Sequence, residues 1–273
     1  MLISGKDNPR IKLLSKLLSS KKARNETEQF VIEGIRGCRD ALASCKTGSG
    51  FVVDAVYYVP EAAEAQKEQF PADLIGRIEE SKRFEITREL AERISDAETS
   101  QGIFVVARKL DKELTPDAVK AEGKYLVLDG LQDPGNLGTV IRTADAVGIS
   151  GIILTGNCVE LYNPKVVRSA VGSLPRVEIF IENDRARVFE ILAGKGIRTA
   201  AAVVSGGEDI IGFDFSGGCA VVIGNEGRGL SEETVGMCSD RITIRMHGNI
   251  DSLNAATAAA VILWEMTRGE AHG

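Results

Sequence analysis

Residues 129–148 read DGLQDPGNLGTVIRTADAVG, residues 221–233 read VVIGNEGRGLSEE, and residues 242–265 read ITIRMHGNIDSLNAATAAAVILWE. In each, a strand-like apolar run gives way to glycines or small polar residues and then to a helical pattern. That is the position at which open α/β sheets bind ligands. In the first segment a strand runs into Asp129-Gly130, the turn residues Pro134-Gly135 follow, and Asn136 stands at a natural N-cap position. Leu137, Val140, Ile141, Ala144 and Val147 then recur at helical spacing and predict a buried stripe, with Arg142 on its flank. In the second segment an apolar strand meets Gly224-Asn225-Glu226-Gly227-Arg228-Gly229, and glycine permits close approach of a ligand to the backbone. Its spacing is not the G-x-G-x-x-G of a dinucleotide fingerprint. In the third, a strand over 242–244 and a loop over 246–251 lead to Ser252, read as the N-cap of an alanine-rich helix that holds Asn254 in its first turn.

Working outward, apolar runs at 125–128, 151–154, 176–180, 198–201, 220–223 and 241–244 alternate with helical patterns, which predicts a largely parallel sheet covered on both faces. Upstream, strands are expected at 29–32, 51–59, 83–86 and 102–107, with helices near 33–43, 61–80 and 87–94. Residues 9–20 place Ile11, Leu14, Leu17 and Leu18 on one side and Lys12 and Lys16 on the other, a basic amphipathic helix. The polar stretch 109–118, with Thr115-Pro116-Asp117, separates the two halves. The expected division is therefore 1–112 and 118–273, a small α/β domain followed by a larger one.

A chain of 273 residues with 44% apolar content suits two packed cores. Five scattered cysteines with no C-x-x-C pair give no metal or redox signature, and no metal is expected. No apolar run is long enough to span a membrane, and the charged N-terminus lacks a signal-peptide core, so the reading is cytoplasmic. The net charge of −6 sets a condition on any nucleic-acid partner, because phosphate contacts require local Lys and Arg. Residues 1–24 supply such a concentration: Lys6, Arg10, Lys12, Lys16, Lys21, Lys22 and Arg24 against the single acid Asp7. Arg10, Lys12, Lys21, Lys22 and Arg24 are taken as candidate phosphate contacts, the alternative being a solvated helix face.

The three segments, in this order, resemble the SpoU or TrmH-like branch of the SPOUT methyltransferases. Asn136 and Arg142 match the family's N-x5-R motif, Gly224, Glu226 and Gly229 its G-x-E-x-x-G core, and Ser252, Leu253 and Asn254 its S-L-N motif. The opening stretch NPRIKLLSKLLSSKKARNETEQFVIEGIRGCRDAL resembles the RNA substrate-binding domain that precedes the catalytic domain in many members. The resemblance implies S-adenosylmethionine-dependent 2′-O-ribose methylation of RNA, with ribosomal RNA the expected substrate, no DNA or membrane partner, a homodimer, and a C-terminal domain tied in a deep trefoil knot. It also implies that Asn136, Arg142, Glu226, Ser252 and Asn254 serve catalysis, while Gly224, Asn225, Gly229, Ile244, Met246 and Leu253 hold the cofactor. A guanidinium keeps its charge in nearly any environment, so the role expected of Arg142 is cationic rather than that of a base. Two positions depart from the family pattern, Arg245 where many relatives carry proline, and Ala255-Ala256-Thr257 after Asn254. The competing readings are a non-catalytic RNA-binding or ribosome-assembly protein, a transfer-RNA or antibiotic-resistance ribosomal-RNA methyltransferase, and a base methyltransferase, the last opposed by the N-x5-R and S-L-N motifs.

Overall fold

The computed structural model describes residues 2–45, 50–68, 70 and 72–269. The first half runs β1 (Leu2–Ile3), α1 (Pro9–Ser19), α2 (Lys21–Thr27), β2 (Gln29–Glu33), α3 (Ile35–Ser44), β3 (Val53–Tyr58), α4 (Pro60–Ala65), α5 (Ala72–Gly76), β4 (Arg83–Ile86), α6 (Arg88–Ile94) and β5 (Ile103–Arg108). The second runs β6 (Lys124–Asp129), α7 (Pro134–Val147), β7 (Gly151–Thr155), α8 (Pro164–Ala170), β8 (Ile179–Ile181), α9 (Arg185–Gly194), β9 (Arg198–Ala202), β10 (Glu208–Asp209), β11 (Cys219–Ile223), α10 (Glu232–Met237), β12 (Asp240–Thr243) and α11 (Ala255–Thr267). The helix expected over 61–80 is instead α4, α5 and a 3-10 turn at Glu80–Lys82. The sequence carries Pro71 inside that window, and a proline cannot continue a helix because it lacks the backbone donor.

Two compact units result, Met1–Leu110 with Glu160–Arg176, and Asp111–Val159 with Val177–Gly273. The first holds the sheet β1-β4-β3-β5-β2, in which β5 runs antiparallel to both its neighbours. Helix α1 buries Ile11, Leu14, Leu17 and Leu18 in a core shared with Val31, Tyr57, Phe84 and Phe104. Each such side chain removed from water contributes roughly 1.5–3 kcal/mol. Glu160–Arg176, which follows β7 in the chain, packs with this unit, a feature absent from the expected division at 112–118. The segment buries Leu161, Tyr162, Val166 and Val167, with the Tyr162 ring 4.6 Å from that of Phe30, and a charge pair fixes its start: Arg24 Nε and Nη2 donate to the two Glu160 carboxylate oxygens at 2.7 and 2.6 Å, and Nη1 donates to the Leu17 carbonyl at 2.6 Å.

In the second unit all seven strands are parallel, in the order β10-β12-β9-β11-β6-β7-β8. From β6 the chain builds β7 and β8 on one side, then returns so that β9 and β11 lie on the other. The order therefore reverses beside β6, and the C-terminal ends of β6 and β11 flank the crevice where such sheets bind ligands. Helix α11 packs against both α7 and β11 and so closes one side of that crevice.

Candidate active site

Glycine and asparagine shape the loop after β11. A Cβ on Gly224 would lie 2.3 Å from the Gly229 carbonyl carbon, so only glycine lets the chain fold back here. The turn is closed by reciprocal backbone hydrogen bonds, Asn225 N–H to the Gly229 carbonyl at 3.1 Å and Gly229 N–H to the Asn225 carbonyl at 2.8 Å. The Asn225 Oδ1 accepts from the N–H groups of Gly227 and Arg228, while its Nδ2 donates to the Gly130 carbonyl at 2.9 Å, fastening this loop to the end of β6.

Glu226 receives the other side of that junction. Its Oε1 accepts from the Asp133 N–H at 2.9 Å and the Asn136 Nδ2 at 3.1 Å, and its Oε2 accepts from the Gln132 N–H at 3.1 Å. Partial burial pushes the Glu226 carboxyl up, but the hydrogen bonds from Asp133, Asn136 and Gln132 outweigh it and hold the group below its ordinary range. Asn254 Nδ2 in turn donates to Asn136 Oδ1 at 3.0 Å, while Asn254 Oδ1 accepts from the N–H groups of Ala256 and Thr257. These partners fix both amide orientations: the helix cap takes the oxygen of Asn254, and the carboxylate takes the nitrogen of Asn136. Asn136, Glu226 and Asn254 thus form one directed chain drawn from three elements.

Two cap assignments are corrected. The N-cap of α7 is Asp133, whose Oδ1 accepts from the Asn136 N–H at 2.8 Å, so Asn136 lies inside the first turn with its side chain free for Glu226. The N-cap of α11 is Asn254, not Ser252. Proline at the first helical position, as in Asp133-Pro134, was the local signal for the first cap.

A cavity of about 600 Å³ opens beside this chain. Gly224, Asn225, Glu226, Gly229, Ile244, Met246, Ser252, Leu253 and Asn254 border it, so each residue expected to hold the cofactor is on its wall. Neither Asn136 nor Arg142 is among the lining residues. Arg142 is exposed on α7, roughly 9 Å along the axis from Asn136, and its guanidinium has no hydrogen bond or ion pair among the described residues. The phosphate-contact set also changes. Arg24 is 4% exposed and paired with Glu160, so it is unavailable to a phosphate, whereas Lys21 and Lys22 are exposed. Arg10 lies over the Phe84 ring at 4.4 Å, and Lys12 pairs with Asp7 at 3.0 Å. Arg245, one of the departures noted above, pairs with Asp209 at 2.9 Å. Gln132 and Asp133, whose backbone donors order Glu226, carry no side-chain signal for that role in the sequence, and Asp129 is marked there only as the end of a strand.

A cavity at the C-terminal ends of β9, β11 and β12 of a parallel sheet, walled by a glycine loop and bordered by Glu226 and Asn254 of the Asn–Glu–Asn chain, is a site suited to a nucleotide-like cofactor. Residues 123–264 match the SpoU rRNA Methylase family, and residues 8–105 match the MRM3-like substrate binding domain. The chain is 29% identical to the 23S rRNA (guanosine(2553)-2′-O)-methyltransferase RlmP of Bacillus subtilis, over 92% of this chain and 93% of that protein. It is 30% identical to an uncharacterized tRNA/rRNA methyltransferase of Synechocystis, over 97% and 93%. The AdoMet-bound rRNA methyltransferase of Sinorhizobium meliloti superposes with a TM-score of 0.83 at 28% identity, covering 99% of this chain and 98% of that one. The chain belongs to the SpoU rRNA methylase family. It is an S-adenosylmethionine-dependent RNA 2′-O-methyltransferase, and a non-catalytic reading is not favoured.

The cavity fits that cofactor. Ala202, Val203, Ile242, Ile244, Ala258 and Ile262 give it an apolar wall suited to a purine, while Glu226 and Asp251 supply carboxylates beside it for a cationic ligand. Among the described residues no helix is long and apolar enough to cross a membrane, and no cluster of metal-ligating side chains is present.

Proposed function

We propose that this protein methylates a single ribose 2′-hydroxyl of ribosomal RNA, and that the Asn136–Glu226–Asn254 chain is the part of its site that positions that ribose. The observation that carries the reading is this chain of hydrogen bonds, of which Glu226 and Asn254 border the cavity, with both amide orientations fixed. Ribosomal RNA as the substrate is supported by the relative RlmP, which matches along nearly the whole chain, and by the substrate-binding match over residues 8–105.

S-adenosylmethionine, when bound, supplies an electrophilic methyl group. The residues of this chain must then align the ribose oxygen and accommodate its proton. Asn136 and Asn254 present amide groups to the sugar from a preorganised network. Arg142 supplies a fixed positive charge that holds the neighbouring phosphate and stabilises the developing alkoxide, and the proton leaves to phosphate or water. Ser252 lines the substrate side of the same cavity. Glu226 orients Asn136 rather than taking the proton, because its oxygens already accept three hydrogen bonds.

Arg142 does not border the cavity of its own chain, which favours a homodimer in which each site takes its arginine from the partner. The exposed Trp264 and Val261 on α11 support the same arrangement, since large apolar side chains exposed together mark interaction surfaces. The close packing of α11 on α7 and β11 is consistent with the knotted C-terminal segment. Residues Lys21 and Lys22 are the retained candidates for phosphate contact in the first unit, beside Arg10 and Lys12.

The test is methyl transfer from isotope-labelled S-adenosylmethionine to deproteinised ribosomal and transfer RNA from a strain lacking the protein, with the modified nucleotide mapped. Incorporation at one ribosomal ribose, lost in Arg142→Ala, is the expected result. Incorporation into transfer RNA alone would reassign the substrate. Mixing Arg142→Ala with Glu226→Gln should restore partial activity if sites are shared across a dimer, and no restoration would assign Arg142 to its own chain's site.

A further inference from the structure

Asp129 ends β6 and is buried, yet neither the cavity nor the Asn–Glu–Asn chain uses its side chain. Its carboxylate accepts from Arg185 Nε at 2.9 Å and Nη2 at 2.8 Å, and from the Thr234 hydroxyl at 3.0 Å. Paired with a guanidinium, a carboxylate only accepts, so the Thr234 hydroxyl must donate to it. The Ser231 hydroxyl, 2.9 Å from Thr234 Oγ1, then donates to Thr234. Ser231 also caps α10 by accepting the Thr234 N–H at 3.1 Å. The carboxylate has little room to move, because a Cβ on Gly156 (φ +63°) would lie 1.9 Å from Asp129 Oδ1 and 2.5 Å from Arg185 Nη2.

The connections run in both directions from this one position. Through Thr234 and Ser231 the Asp129 side chain holds the far end of the cofactor loop, which closes at Gly229 just before Leu230-Ser231. Through the Gly130 carbonyl the same turn holds Asn225 at the near end of that loop. Gln132 and Asp133, immediately downstream, present their N–H groups to Glu226. We propose that Asp129 is a positioning residue for methyl transfer: its bond to Thr234 sets the register between the loop that holds the cofactor and the loop that carries Asn136. The proposal rests on the assignment of those loops to the site made above.

Two substitutions separate this role from simple stabilisation of α10. Thr234→Val keeps the buried volume and removes the hydroxyl, whereas Thr234→Ser keeps the hydroxyl and removes a methyl group from a position 1% exposed. Binding of S-adenosylmethionine is measured by calorimetry on the full chain, with kcat and KM for RNA and the melting temperature measured on the same samples. Thr234→Val is expected to weaken cofactor binding roughly tenfold and to lower kcat at saturating cofactor. Thr234→Ser should stay within about twofold of wild type although its melting temperature falls at least as far. Losses that follow melting temperature in both variants, or a Thr234→Val protein that binds and turns over normally, would overturn the proposal alone. A wild-type protein that binds no S-adenosylmethionine would overturn it together with the function on which it rests.

Discussion

In the first unit the buried Arg24–Glu160 pair joins residues 136 positions apart and is finished there: Arg24 also donates to the Leu17 carbonyl, and its guanidinium is 4% exposed. In the second unit the Asp129–Arg185 pair leads onward, through Thr234 on one side and the Gly130 turn on the other, to groups that border a cavity. Both are arginine–carboxylate pairs in α/β units of similar construction. The difference lies in the sheets. A parallel sheet brings all its strand-to-helix turns to one end, so polar groups that order one loop are within reach of the next. A mixed sheet with β5 antiparallel to its neighbours divides its turns between both ends, and the Arg24–Glu160 pair serves the packing of a single segment.

This contrast predicts that substitutions in the two units fail in different ways. Arg142→Ala should lower turnover about 10³-fold with a melting temperature close to wild type, because one donor to a developing charge is lost from an exposed position. Unchanged turnover in a single-turnover assay would remove Arg142 from the site. Arg24→Met should do the reverse, costing ~3 kcal/mol of stability by leaving Glu160 without its partner. Denaturant unfolding gives that cost, and cofactor affinity per folded molecule should be preserved; reduced affinity at full folding would blur the distinction between the units.

Glu226→Gln is expected to lower kcat/KM by ~10²-fold, since an amide cannot accept at both ends from three donors and Asn136 loses its orientation. The acid limb follows from the same contacts. The Glu226 carboxyl lies below its ordinary value in the folded protein, so the stability it contributes is present above the ordinary value of an unfolded chain's glutamate and is lost as pH falls through the lower folded one. The amide resonances of Gln132 and Asp133 should therefore titrate together with a midpoint below that value, and a higher midpoint would separate them from Glu226. The smallest effect expected is from Lys21→Glu with Lys22→Glu, a several-fold loss of RNA affinity and a shallower salt dependence, read in binding isotherms at several salt concentrations. An unchanged salt slope would leave these lysines as an ordinary solvated helix face.

Much of the site was legible from residue types in order. Gly224, Asn225, Glu226, Gly229, Ser252, Leu253 and Asn254 all stand on the cavity, because each motif spans a single strand-to-helix turn and such turns are local. The buried stripe of α7, except for Val147, which is half-buried at the helix end, and the core face of α1 were legible for the same reason, being set by helical periodicity. Caps were less so: Asn136 and Ser252 are good capping residue types, and the neighbours Asp133 and Asn254 took the role because the chain's entry angle into each helix decided between them. Arg24 read as one of a run of surface cations, and nothing near it in sequence announces Glu160.

By itself, the sequence determined which turns border the cavity, which faces of the helices are buried and which family the chain belongs to, since all three depend on patterns a few residues long. The tertiary structure alone decided that Glu160–Arg176 packs with the first unit, that Glu226 is ordered by the backbone of Gln132 and Asp133, and that Asp129 meets both Arg185 and Thr234. Those pairings depend on the placement of β11 between β6 and β9, a strand order that brings distant segments together and leaves no periodic trace in the chain.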